Sequence, residues 1–161
     1  MQKQQEFVKL IKENEGIIFK VTLVYTFNEE DQKDLYQEIV YQLWKSYNSF
    51  RGDAKISTWM YRIALNTAIT NLKKEKRKGN RVSIDVSLLS KIDQTDTLID
   101  DRIKILYSHI KGLNTIEKGI VLLYLEGKSY DEISTITGFS STNVGTRLNR
   151  IKNKLKSQIK K

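Results

Sequence analysis

The sequence predicts an all-α protein of two small helical domains joined by a flexible linker, and three observations carry that reading. Apolar residues recur at three- and four-residue spacings through both halves of the chain, the period of helices with one buried face. Between the halves lies a stretch rich in Ser, Thr and Asp with weak periodicity, residues 81–100, which reads as a linker. Charge is also segregated: residues 51–81 carry a net +7 and residues 111–161 a net +6, whereas 82–110 carry −2. Two basic blocks set apart fit two separate contacts with a polyanion better than a surface charged for solubility. The predicted domains therefore span 1–80 and 101–161, with 81–100 as the connection.

Composition narrows the chemistry. With 39% hydrophobic residues the chain can fill two modest cores. It has no Cys and one His, His109, so disulfides, thiolate metal sites and a histidine cage within one chain are unavailable. No metal or cofactor is expected. No apolar run approaches the roughly 18 residues that span a bilayer. The N-terminal MQKQQEFVKL lacks a signal-peptide pattern, so a cytoplasmic protein without membrane insertion is expected. There is no Gly-rich phosphate loop, and His109 beside Ser108 on a predicted helix reads as a surface or packing residue. No catalytic residue is assigned.

In order along the chain, Phe7, Leu10, Ile11, Ile17, Ile18, Val21, Leu23, Val24 and Phe27 describe packing helices, with Gly16 as the expected break. Asn28 to Asp31 is a polar turn holding an N-cap. From Asp34 the next helix is clearer. Leu35, Ile39, Leu43 and Tyr47 recur every four residues, Val40 and Trp44 widen the stripe, and Asp34, Gln37, Glu38, Tyr41 and Gln42 lie off it. Asp34 and Glu38 either serve the helix dipole or offer an acidic edge to a protein partner. Ser49 to Lys55, SFRGDAK, breaks the period around Gly52 and reads as a loop with an aromatic ring, two cations and a hinge. Ser57 or Thr58 then caps a long helix to about Lys78, with Trp59, Ile63, Ala64, Ala68 and Leu72 inward. Arg62, Asn66, Asn71, Lys73 and Lys74 point elsewhere. The tail LKKEKRKGNR holds more cations than a helix dipole accounts for. Phe50 beside Arg51, with Trp59 and Tyr61 nearby, has the make-up of a single-strand surface on which bases stack while cations follow phosphates. The same rings equally suit a core, and Trp59 fits the core better.

The second half begins with a helix from Asp101 to Ile110 carrying Ile103, Leu106 and Tyr107. A turn at Gly112 to Asn114 follows, then Thr115 to Leu125 with Ile116, Ile120, Leu123 and Tyr124, closed by Gly127. Tyr130 to Thr137 places Ile133 and Ile136 on one face, Gly138 supplies a residue suited to φ > 0, and Ser140, Ser141 and Thr142 offer capping hydroxyls. The last helix repeats Val144, Leu148, Ile151 and Leu155 at spacings of four, three and four. Thr146, Arg147, Asn149, Arg150, Lys152, Asn153 and Lys154 occupy its other face. An apolar stripe backing a polar, basic face after a short Gly-containing turn is the pattern of a DNA-binding helix-turn-helix. An ordinary helical hairpin with a solvated face is the plainer alternative.

Three strings resemble a known family: DLYQEIVYQLW, SYNSFRGDAKISTWMYRIALN, and LNTIEKGIVLLYLEGKSYDEISTITGFSSTNVGTRLNRIKNKL. In this order they look like the small ECF-type sigma factors, specificity subunits of bacterial RNA polymerase, over most of the chain from about Phe7 to Leu155. The resemblance implies that the N-terminal domain is sigma region 2 and the C-terminal one region 4. It implies that Asp34, Leu35, Gln37, Glu38 and Tyr41 meet the clamp helices of the polymerase β′ subunit. It places −10 promoter DNA against Phe50, Arg51, Gly52, Asp53, Lys55, Arg62, Asn66, Lys73, Lys74 and Arg77. It gives −35 recognition to Ser141, Thr142, Asn143, Thr146, Arg147 and Arg150, with the β flap as a further partner of region 4. An anti-sigma factor is an expected partner on resemblance alone. Gly145 departs from the family pattern, which usually has a basic residue there. A stand-alone helix-turn-helix regulator is the alternative, and it leaves the +7 block at 51–81 unexplained.

Overall fold

The computed structural model describes residues 2–52, 54–77 and 101–159. Among them are eight α-helices and one 3-10 turn, with no strand. They fall into two compact units, within Met1–Ser83 and Ile84–Lys161.

The first unit contains α1 (Gln2–Glu13), α2 (Glu15–Tyr25), α3 (Glu29–Ser46), a 3-10 turn (Tyr47–Ser49) and α4 (Ile56–Arg77). The first break falls at Asn14 rather than at Gly16, which lies in the first turn of α2. Asn14 donates its side-chain amide to the Leu10 carbonyl at 2.9 Å, giving an end carbonyl of α1 a partner that continued helix would have supplied. The helix expected from Asp34 starts earlier. Asn28 caps it, its Oδ1 accepting from the Asp31 backbone N–H at 2.7 Å, and Glu29, Glu30 and Asp31 fill the first turn where the dipole favours carboxylates.

α4 lies against both α2 and α3. Its Met60, Tyr61, Ala64, Leu65 and Ala68 are buried with Ile18, Val21 and Val24 of α2 and Leu35, Ile39 and Leu43 of α3. Because α4 faces two neighbours, its buried arc is wider than a single stripe and takes in Tyr61 and Leu65. Trp59 and Ile63, assigned inward from spacing, stand half-buried at its margin. Tyr61 is core, which removes it from any stacking surface. Neither Ser57 nor Thr58 caps α4; the Lys55 carbonyl opens it by accepting from the Trp59 N–H at 3.1 Å. Polar groups inside this core are paired: Gln32 donates to the Thr22 hydroxyl at 3.2 Å, and Thr22 donates onward to the Phe19 carbonyl at 2.7 Å.

The second unit contains α5 (Asp101–Lys111), α6 (Thr115–Leu125), α7 (Tyr130–Thr137) and α8 (Ser141–Ile159). α8 packs against all three others, burying Val144, Leu148, Ile151 and Leu155 among Ile110, Ile120, Leu123, Ile133 and Ile136. Ile116, read as apolar face, is exposed. Capping boxes start two helices: Asn114 with Glu117 for α6 and Ser129 with Glu132 for α7. Gly138 ends α7 in the left-handed region at φ 87°, as its position in the sequence predicts. Ser140 caps α8, its hydroxyl accepting from the Asn143 N–H at 3.1 Å.

Burial separates structure from surface along α3. Leu35 is 1% exposed and Tyr41 53%. Thermal unfolding should show Leu35→Ala costing about 2–5 kcal/mol and Tyr41→Ala within about 0.5 kcal/mol of wild type.

Candidate nucleic-acid interface

In the first unit the loop before α4 turns at Gly52, whose φ of 78° is one that L side chains rarely adopt. Phe50 stacks on Trp59 with ring centroids 4.9 Å apart and planes at 22°. Trp59 meets Tyr47 at 6.4 Å, and Tyr47 meets Trp44 at 6.5 Å and Phe7 at 5.3 Å. A ladder of rings thus braces the loop against α1 and α3. Arg51, Lys55, Arg62, Asn66, Lys73 and Lys74 are exposed. Asp53 lies outside the described residues, as do the expected linker 81–100 and the helix end at Lys78. Arg77 is the last residue of α4, its side chain outside the described set.

The outer side of α3 divides between two grooves. Asp34, Glu38 and Gln42 face Asn66, Thr67, Thr70, Asn71 and Lys74 of α4 across a polar groove of about 440 Å³. Here the fold brings residues assigned by resemblance to polymerase binding beside residues assigned to −10 DNA. Within it Gln42 donates to Glu38 Oε1 at 3.0 Å. On the other side Gln37 and Tyr41 join Gln4, Phe7, Val8, Tyr36, Val40 and Trp44 around an apolar groove of about 560 Å³. Burial, and then the nearby Glu15 carboxylate, push the Tyr36 phenol pKa above its ordinary value. Leu35 belongs to neither groove: it is core, so its side chain is not on the outer surface of α3.

In the second unit the buried stripe of α8 turns Thr142, Thr146, Asn149 and Arg150 outward, all exposed. Ser141, Asn143 and Arg147 are half-buried and already engaged. The Ser141 hydroxyl donates to Asp131 Oδ1 at 2.5 Å, tying the starts of α7 and α8 together. While that bond holds, the same proton is not available to a phosphate. Arg147 Nε donates to Asn143 Oδ1 at 3.2 Å, and its guanidinium carbon lies 4.3 Å from the Phe139 ring centroid. Phe139 is not singled out by the sequence, and Asp131 reads there only as a carboxylate near the positive end of α7; an aromatic in the turn and an acid in the first turn each have a commonplace local explanation.

Two cations that spacing placed on the outward face turn back instead. Lys152 donates to the Tyr124 hydroxyl at 3.0 Å, which raises the pKa of its ammonium above the ordinary lysine value. Lys154 reaches Glu117 at 3.5 Å. Both link the tail of α8 to α6.

These two surfaces coincide with two family descriptions. Residues 10–78 match sigma-70 region 2, and residues 103–155 match sigma-70 region 4. The chain belongs to the ECF class of the sigma-70 family. As a sigma factor it binds core RNA polymerase and directs it to promoters. Among its relatives, RNA polymerase sigma factor SigV of Bacillus subtilis is 27% identical over 157 residues, covering 96% of this chain and 91% of SigV. The ECF RNA polymerase sigma-E factor of Escherichia coli K12 is 28% identical over 141 residues, covering 80% of this chain and 74% of sigma-E. The fold is shared with sigma factor RpoE of Bartonella quintana, solved with the anti-sigma factor NepR (TM-score 0.74, 16% identity, 98% and 96% covered). It is shared too with CnrH, solved with the cytosolic domain of CnrY (TM-score 0.71, 20% identity, 98% and 89% covered).

Gly145, in the first turn and a half of α8, sits against Tyr130. A Cβ built there would stand 3.3 Å from the Tyr130 ring edge. Tyr130 is 41% exposed, so its ring has room to shift. Gly145→Ala should therefore raise stability by up to about 1 kcal/mol, the helix-propensity difference, in a thermal melt. A loss of stability would mean the ring is held where it is.

Proposed function

We propose that the two units of this sigma factor divide promoter recognition between the loop and outer face of α4 and the outer face of α8. The observation that carries the reading is that in each unit the helix supplying the core also exposes a polar, basic face: Arg62, Asn66, Lys73 and Lys74 on α4, and Thr142, Thr146 and Arg150 on α8. On this reading the loop at Phe50, Arg51, Gly52, Asp53 and Lys55 captures an unstacked −10 base, and the α4 cations, Arg77 included, follow the strand. The helix-turn-helix enters the major groove of the −35 element. Asp34, Gln37, Glu38 and Tyr41 meet the β′ clamp helices, with Leu35 supporting them from the core, and the second unit meets the β flap. On the same reading the working domains are 1–80 and 101–161, with 81–100 as the linker.

The energetics explain why polymerase is needed. Each unstacked base step costs a few kcal/mol, more than one loop recovers from a single captured base. Mounted on core enzyme, both units act at raised effective concentration, and base capture offsets the opening cost. The polymerase performs the chemistry, and the sigma factor is an initiation factor rather than an enzyme. Its place of work is the cytoplasm. An anti-sigma factor is the regulatory partner we assign to it, in keeping with the one seated on RpoE of Bartonella quintana.

A stand-alone helix-turn-helix regulator, its N-terminal helices serving as a dimer or sensor module, is disfavoured, because the region 2 match covers 10–78 and the alternative leaves the +7 block at 51–81 unexplained. Arg150 tests the −35 assignment. In holoenzyme binding to promoters with single-base changes, Arg150→Ala should lose about 1–3 kcal/mol of discrimination at one base pair. An equal loss on every promoter would make Arg150 a phosphate contact instead.

A further inference from the structure

Arg147 differs from its neighbours on α8 in what already holds it. It follows Val144 by three residues and precedes Leu148 by one, both fully buried. Helical geometry therefore puts it at the border of the buried stripe, about a third of a turn from the centre of the face made by Thr142, Thr146, Asn149 and Arg150. Thr146 and Arg150 are exposed while Arg147 is half-buried, as that placement requires. A side chain at the middle of the outer face points to the floor of a groove, where bases lie. One at the flank points to the wall, where phosphates lie.

The guanidinium is also oriented. Asn143 Oδ1 accepts the Nε proton at 3.2 Å, and Phe139 offers its ring to the guanidinium carbon at 4.3 Å. Together these fix the plane of the group and consume one of its five N–H donors. Among the described residues no other partner engages the two terminal amino groups. An arginine side chain has many rotamers, and part of that freedom is lost before DNA arrives when a ring and an amide hold it.

We infer that Arg147 is a phosphate clamp on the wall of the −35 groove and that Phe139, from the turn between α7 and α8, is the residue that positions it. This rests on reading α8 as the −35 helix. The competing explanation is a staple that only joins the turn to the helix. A staple adds stability and leaves the salt dependence of DNA binding unchanged.

The test is a double-mutant cycle on holoenzyme assembled from the full chain and core polymerase, titrated with salt on a promoter duplex at which the wild type initiates. Arg147→Ala should lower the slope of log affinity against log salt by about 1 and weaken binding about eightfold at 0.1 M salt, equally on all −35 variants. Phe139→Leu, which keeps apolar bulk without a ring face, should weaken binding about two- to fivefold, the worth of a surface cation–π contact. Phe139→Met serves in its place if the Leu variant does not fold, and Phe139→Tyr should retain the wild-type slope. The double variant should match Arg147→Ala alone. Additive effects, or an unchanged salt slope in Arg147→Ala, overturn the inference while leaving the −35 assignment standing. A loss confined to one base pair overturns the phosphate clamp. Wild-type holoenzyme indifferent to −35 sequence overturns the underlying reading, which is a separate result.

Discussion

The interaction on which the rest depends is the burial of one helix per unit against several neighbours at once. α4 lies against α2 and α3, and α8 against α5, α6 and α7. In each case the helix that exposes a polar, basic face also supplies the core. Met60, Ala64 and Ala68 fix the rotation of α4, and Val144, Leu148 and Ile151 fix that of α8. Once those residues are inside, the remaining arc is decided, and with it which cations reach outward. Function and stability are thus divided by helix face rather than by helix.

That division explains the uneven fates of the polar and basic residues. Arg62, Asn66, Lys73 and Lys74 are on the free arc of α4 and stay exposed. On α8 three helices surround one buried stripe. Lys152 and Lys154 fall near its edge and close onto Tyr124 and Glu117 instead. The net charge of the C-terminal block therefore overstates the charge it presents. The Lys154–Glu117 surface ion pair contributes little stability, about 0–1 kcal/mol, but with the Lys152–Tyr124 hydrogen bond it ties the tail of α8 to α6. On α3 the two outer flanks differ in character, one polar toward α4 and one apolar toward α1.

Much of this was legible in the sequence because it follows from spacing. The four-three-four repeat of Val144, Leu148, Ile151 and Leu155 set the phase of α8, and Gly138 marked the turn before it. Errors arose where a side chain acts on its own backbone or where a helix has more than one neighbour. Asn14 ends α1 by bonding to the Leu10 carbonyl, which periodicity does not register, so Gly16 drew the break instead. The capping boxes at Asn114 and Ser129 were written in the residues but need the reciprocal pair to be recognised. Trp59 was placed inward on a one-stripe view of α4, whereas the two-sided contact buries Met60, Tyr61 and Leu65 and leaves Trp59 at the rim with Phe50. Leu35 came with a surface set by resemblance, although its own four-residue spacing with Ile39 and Leu43 already marked it as core. The hold of Phe139 on Arg147 joins residues eight apart across a turn, beyond what helical periodicity encodes.

The central claim is that two units of modest individual grip open a promoter only when core polymerase holds both. The most direct measurement is strand opening, followed by 2-aminopurine fluorescence placed in the −10 element of a duplex promoter. The sigma factor alone and core polymerase alone should leave the signal at the duplex level, and the two together should raise it. A rise with the sigma factor alone, or none when both are present, would contradict the account.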